Sequence, residues 1–253
     1  MVVVTLRDPL GDFLAEFEVS PGTPMARAAS VSFIEDHSEQ IVDAVGTRFV
    51  GHQVVVFDRG DVAEGLLERG GVLARHSLVM TLDLTGRLPA APASVPVSIG
   101  PMASTRTAQY GAVLCRAYPP DHPDHESGDA DPRAAASTIE SYLRGEQVGA
   151  WIPDASLEAT DQGGRVMGVI VISQIEASLA FAGGPWITDV FVDPEFAGLG
   201  IGGALIAQAA TLLATQGRPT LGLAVTASSP ARRLYERMGF VTRHEIWRIA
   251  LSA

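Results

Sequence analysis

Between Val192 and Ile206 the chain reads VDPEFAGLGIGGALI. Gly198, Gly200 and Gly202 alternate, and Gly203 follows at once. Glycine weakens regular structure and is useful where backbone must come close to something. A glycine turn leading into a helix exposes first-turn N–H groups that lack internal partners, at the positive end of the helix dipole. Such a turn holds an anion, typically phosphate. A triphosphate-binding loop would need Gly-Lys-Ser/Thr, but Gly203 is followed by Ala204 and Leu205 in a chain without lysine. A dinucleotide turn opens a parallel strand–helix–strand unit with an acid at the end of the next strand. Here the next strand, LGLAV, ends in Thr226 and Ala227. The plain alternative is a tight turn that only packs helix on sheet.

Two further groups could do chemistry. Asp189 is a charge inside a mostly apolar strand, on the same face as Phe191, where a carboxylate is uncommon. The segment AYPPDHPDHESGDADPR, 117–133, carries His122 and His125 among Asp121, Asp124, Glu126, Asp129 and Asp131. That much negative charge attracts a cationic amine. His122-x-x-His125 offers only two metal ligands in a proline-rich loop, so no metal is expected.

The elements that must position these groups follow from punctuation and period. Residues 102–116 and 134–144 read as helices, with the acidic loop between them. Residues 156–160, 166–175 and 186–192 are short, β-branched and separated by glycine turns, which predicts three antiparallel strands. Apolar residues at 205, 206, 209, 212 and 213 make a helical stripe over 203–215, ended by Gly217. Residues 221–225 form a strand. Ser229-Pro230 opens a helix that Gly239 stops, and 241–251 is a last strand or pair of strands. This is an α/β arrangement with a largely antiparallel sheet. Upstream, GRLPAAPASVPVSIGP, 86–101, reads as a linker.

Composition narrows the function. The 253 residues carry a net charge of −11, which argues against a nucleic-acid partner. All eighteen basic residues are arginine, as in a GC-rich coding bias. The single cysteine, Cys115, excludes a disulfide framework or cysteine metal cluster and reads as packing. No window reaches a membrane span and the start is not a signal peptide, so a cytoplasmic location without membrane contact is expected.

The glycine turn does not stand alone. VDPEFAGLGIGGALI resembles the acetyl-coenzyme A signature of the GCN5-related N-acetyltransferases (GNAT), through Val192, Pro194, Phe196, Gly198, Gly200, Gly202 and Leu205. SSPARRLYERMGF, 228–240, matches that family's second motif at the expected distance. The resemblance covers roughly residues 95–253. It implies the GNAT fold, a mixed and mostly antiparallel twisted sheet flanked by helices, with acetyl-CoA as cosubstrate. Two positions depart: Ala197 replaces the usual Arg or Gln before the first glycine, and Ser228 replaces the usual Asn.

The resemblance also implies roles. Ala197, Gly198, Leu199, Gly200, Ile201, Gly202 and Gly203 would hold pyrophosphate. Val190, Phe191 and Val192, on a splayed strand, would hold the pantetheine arm and carbonyl, helped by Ser228. Tyr235 would protonate the departing thiolate. Asp189 is the candidate base, with an ordered water chain as the alternative. His122 and His125 lie where the family builds its acceptor site. The expected reaction is direct acetyl transfer to the primary amine of a cationic small molecule. A protein N-terminal acetyltransferase and a regulatory module that binds acyl-CoA without turnover are the rivals.

The N-terminal part repeats the C-terminal one. AEGLLERGGVLARHSLVMTL, 63–82, aligns without gaps on ARRLYERMGFVTRHEIWRIA, 231–250, with seven identities. Residues 49–57 match the strand 221–225, residues 26–45 would be the helix after the turn, and 13–21 would match the strand before it. GTPMARAAS, 22–30, then stands where the glycine turn would be, and Leu67 where Tyr235 is. Internal repeats change the fold reading. Residues 1–85 are expected to form a small α/β lobe resembling half a GNAT unit, followed by a linker over 86–94 and the catalytic domain over 95–253. The lobe would be structural, acceptor-shaping or dimerising, giving a homodimer.

Overall fold

The computed structural model describes residues 2–22, 25–90, 93–125, 129, 131–178 and 181–252. The chain divides into two units, Met1–Val79 with Thr242–Ala253, and Met80–Val241.

In the first unit β1 (Val2–Arg7), β2 (Phe13–Ser20) and β3 (Ala26–Phe33) pair antiparallel in turn. Helix α1 (Ser38–Arg48) crosses to β4 (His52–Phe57), which lies parallel to β3, and α2 (Gly60–Glu68) follows. Ile41, Val42 and Val45 of α1 and Val62, Ala63 and Leu66 of α2 bury against Leu14 and Phe17 of the sheet. Strand β5 (Val72–Asp83) spans the unit boundary.

One expectation is corrected here. Residues 26–33 are not the start of a helix but strand β3, and the helix begins only at Ser38. The internal repeat places a helix here, yet Ala28 and Ser30 are buried while their neighbours are not, the alternation of a strand. Pairing to β2 on one side and β4 on the other overrides the local preference. The strand before the turn is therefore β3, not 13–21, and the segment between strand and helix is 34–37, not 22–30, of which Thr23 and Pro24 lie outside the described residues.

The second unit begins with β6 (Ser98–Pro101), inside the stretch that reads as linker. It is a four-residue edge strand ending in proline, too short to show a pattern. Helices α3 (Thr107–Ala117) and α4 (Pro132–Leu143) follow, then β7 (Ala150–Trp151), β8 (Leu157–Thr160), β9 (Val166–Ile175) and β10 (Gly184–Val192). Helix α5 (Ile201–Thr215) leads to β11 (Thr220–Thr226) and α6 (Ala231–Arg237). The sheet order is β6-β8-β9-β10-β11, antiparallel throughout except for the parallel pair β10/β11. The final strand, β12 (Val241–Ala250), belongs from Thr242 on to the first unit and pairs antiparallel with β4 within it.

Strand β9 sits at the centre and is buried from Val166 to Ser173, the continuous apolar run of a strand covered on both faces. Tyr110, Leu114 and Ile139 of α3 and α4 pack on Val169, Val171 and Phe191. Helix α5 also packs on β9. Gly168 permits that closeness: a Cβ there would lie 3.0 Å from Phe191 O and 3.3 Å from Ile201 Cγ2.

Candidate active site

Strands β10 and β11 pair only at Trp186–Gly222 and Ile187–Leu223. Thr188 is then skipped in the register between β10 and β9, a bulge that re-aims the strand. Beyond it β10 continues with β9 alone. The Asp193 N–H donates to Met167 O on that side at 2.8 Å. Antiparallel alternation therefore turns the N–H groups of Asp189 and Phe191 toward β9 and those of Val190 and Val192 toward the opened side.

The turn that follows is built from special backbone. Gly198 and Gly200 have φ of +78° and +79°, and no atom lies within 4 Å of where a Gly198 Cβ would be. Gly200 caps α5 without any side-chain bond. The first intrahelical bond is Ala204 N–H to Gly200 O, at 2.9 Å. The N–H groups of Ile201, Gly202 and Gly203 thus have no partner inside the helix. The turn is anchored from beneath by Asp193, whose buried carboxylate accepts from Arg116 at 2.6 Å, Arg165 at 3.1 Å and the Glu195 N–H at 3.2 Å. Burial opposes that charge, but the three donors outweigh it and hold the carboxyl below its usual range. Arg165 also bonds Glu195 at 2.6 Å and lies over the Phe196 ring.

Strand, turn and α6 converge on one cleft of about 460 Å³. Of the expected cosubstrate residues, Val190, Phe191, Val192, Ala197, Gly198, Gly200, Ile201, Gly202 and Gly203 line it. Leu199 does not; its carbonyl accepts from the Ser94 N–H at 2.8 Å. Ser228 is exposed and also outside the lining. Tyr235 lines the cleft, buried to 7% exposure, with its ring 5.7 Å from that of Phe240. Burial raises its pKa above the usual 10, and the Asp189 and Asp124 charges add to this.

Asp189 stands just behind the lining. It shares the α3 side of the sheet with Phe191, and the Tyr118 hydroxyl donates to its Oδ1 at 2.9 Å. Burial pushes its carboxyl up to about 7. The Tyr118 bond opposes that rise, and the Asp129 and Asp124 charges reinforce it. Tyr118 was not read from the sequence: it ends α3, 71 positions from Asp189, and only the fold joins them.

The acidic loop takes defined roles. His122 lines the cleft, accepts the Asp124 N–H on Nδ1 at 3.1 Å and packs its ring 4.9 Å from that of Tyr118. His125 does not line it; its Nδ1 lies 2.8 Å from Tyr118 O. Asp124 lines the cleft and accepts the Thr226 N–H at 3.3 Å. Asp131 instead caps α4 through the N–H groups of Arg133 and Ala134. Glu126 lies outside the described residues. Among the described residues no group of three His, Cys, Asp or Glu side chains could hold a metal ion. Cys115 is half-buried in α3. No helix among the described residues is long and apolar enough to cross a membrane.

The family model described as the acetyltransferase (GNAT) family matches residues 113–240. A comparison with curated proteins yields no match. Among solved structures, a GCN5-related N-acetyltransferase from Sphaerobacter thermophilus matches with a TM-score of 0.63 at 17% identity, over 98% of this chain and 79% of that one. A tandem GNAT protein from the clavulanic acid biosynthesis pathway matches at 0.51 and 13% identity, over 96% and 79% of the two chains. A GCN5-related N-acetyltransferase from Kribbella flavida matches at 0.51 and 16%, over 90% and 82%. At these identities the likeness is one of fold.

Proposed function

Because the chain belongs to the GNAT family of acetyltransferases, we propose that it moves an acetyl group from acetyl-CoA to the primary amine of a cationic small molecule. The observation that carries this reading is the convergence on one cleft of an opened strand edge, an uncapped glycine turn and two tyrosines, Tyr235 and Tyr118, the second bonded to the carboxylate of Asp189 behind it. The residues present fit acetyl-CoA. A Cβ-free turn with unpartnered first-turn N–H groups suits pyrophosphate, and the N–H groups of Val190 and Val192 suit the amide-bearing arm. Bound there, acetyl-CoA would supply an acyl group activated as a thioester.

The protein's own groups then have separate tasks. Asp189 receives the proton that the acceptor ammonium loses before its nitrogen can attack, and the second proton, shed as the bond to the acyl carbon forms, replaces the one that Tyr235 gives to the sulfur. Its raised pKa matches a base working near neutrality. Tyr235, kept protonated by burial, gives its proton to the sulfur as the carbon–sulfur bond breaks. Asp124 and Asp129 add negative charge on the acceptor side, which favours a cationic amine.

The first unit supports a single working site. Its turn, Ile34-Glu35-Asp36-His37, has no glycine, and Leu67 stands where α6 has Tyr235. Arg59 closes the start of α1, donating to Ile34 O at 2.9 Å, Ser38 Oγ at 3.1 Å and Asp61 at 2.7 Å. The single cysteine fits a cytoplasmic protein.

Thiol release measured with a panel of diamines, aminoglycosides and peptides with free N-termini tests the proposal. Release with small cationic amines is expected. Faster release with peptides would favour a protein N-terminal acetyltransferase. Ala197 and Ser228, which lack the usual anchoring side chains, favour the one other reading, an acyl-CoA-binding module. Coenzyme A binding without release for every amine would establish it.

A further inference from the structure

The carboxylate assigned as base does not itself line the cleft. Tyr118 does, and the Tyr118 hydroxyl stands in hydrogen-bond contact with that carboxylate. We propose that Tyr118 is a proton relay: the acceptor nitrogen meets the Tyr118 oxygen, and Asp189 receives its proton through that hydroxyl. The inference rests on the acetyltransfer reading above.

The geometry leaves Tyr118 suited to this and to little else. Its hydroxyl has one proton, directed at Asp189 Oδ1 at 2.9 Å with Val190 O as a second acceptor at 3.2 Å. Its oxygen can still accept a bond, since a phenol is both donor and acceptor. Position is fixed from two further sides. His125 Nδ1 lies 2.8 Å from the Tyr118 backbone carbonyl oxygen, and the His122 ring packs 4.9 Å from the Tyr118 ring. The two histidines of the acidic loop thus hold the relay.

The transfer balances. One proton leaves the ammonium nitrogen for the Tyr118 oxygen as the Tyr118 proton moves to Asp189 Oδ1. Asp189 changes from carboxylate to carboxylic acid, the ammonium becomes a neutral amine with a free electron pair, and Tyr118 ends as it began. Tyr118 is not a base in its own right. Burial first, then the charge of Asp189, raises its pKa well above the usual 10. The titratable groups that face Asp189 are Tyr118 from α3, Asp124 and Asp129 from the acidic loop, and Tyr235 from α6.

The test compares Tyr118→Phe, Asp189→Asn and the double variant, first without any acyl donor. In the unloaded protein, carbon-detected NMR follows the Asp189 carboxyl through pH. Losing the Tyr118 bond should move its midpoint upward from about 7. In turnover, Tyr118→Phe should lower kcat/KM about 100-fold or more, the usual scale of a lost proton-transfer group. Asp189→Asn should cost a similar factor, and the double variant no more than either single one, because the two act as a unit. Proton inventories in mixed water and heavy water should curve for wild type. An active wild type matched within threefold by Tyr118→Phe overturns the relay alone. Additive losses, or an unmoved Asp189 midpoint, also overturn it. A wild type inert with every amine overturns the acetyltransfer reading and the relay with it.

Discussion

Arg116, near the end of α3, donates at 2.6 Å to Asp193, which is 2% exposed at the end of β10. The bond ties the helix that carries Tyr118 to the strand that opens the cleft. Asp193→Asn should lower stability by about 1–3 kcal/mol, the usual range for a buried charged hydrogen-bond partner. The pH sign is defined. The folded carboxyl is held below its unfolded value near 3.9. Its contribution is therefore complete above about pH 4 and lost as pH falls through the lower folded value. Urea melts from pH 2 to 7 check this: the acid-side loss should shrink in the variant.

Asp189 carries the opposite sign. Its folded pKa, about 7, lies above its unfolded one. The folded state binds the extra proton between about pH 4 and 7, so rising pH erodes stability across that window. At about 1.4 kcal/mol per pKa unit, the effect is of order a few kcal/mol. Asp189→Asn should flatten that slope and melt higher than wild type at pH 8, while removing the acid limb of kcat/KM. A variant that melts lower at pH 8 would contradict the burial argument.

Tyr235→Phe keeps the ring contact with Phe240 and removes the hydroxyl. Thermal midpoints should move little, and kcat should fall by about 100-fold, the lower end for a general acid. The loss should be smaller with acyl donors whose leaving thiol is more acidic. Equal losses for all donors would argue against the acid role.

Gly200→Ala places a methyl at φ +79°. Strain of about 1–2 kcal/mol is expected for an L-residue in that region. Coenzyme A affinity, measured by calorimetry, should fall tenfold or more. Loss of stability with unchanged affinity would remove the turn from the binding site.

Gly168→Ala tests packing rather than chemistry. The added Cβ would meet Phe191 O at 3.0 Å and Val192 Cγ2 at 3.2 Å. Overpacking of this kind costs about 1–3 kcal/mol. Because it presses on β10, coenzyme A binding should weaken along with the melt.

What the sequence made legible is what short-range rules govern. Gly217, Gly239 and Ser229-Pro230 punctuate helices, and the run 166–175 coincides with a strand buried on both faces. Gly198 and Gly200 could be singled out because a positive φ demands their residue type. What stayed hidden depends on partners distant in the chain. Arg165 meets Asp193 across 28 positions and Tyr118 meets Asp189 across 71, and neither spacing leaves a local mark. Residues 26–33 misled for a related reason. Small residues satisfy a helix or a strand equally, and the neighbouring strands decide.

The pairing of Ile246 with Phe57 has a consequence for how the molecule is made. Everything from β6 to α6 leaves the ribosome before β12 does. The second unit can therefore close first, although domains usually mature in the order they are translated. The first unit must wait, with the open edge of β4 exposed, until the final strand arrives. Such a long-range closure is slow. During that interval His52–Phe57 is an open edge that needs protection from pairing with another chain.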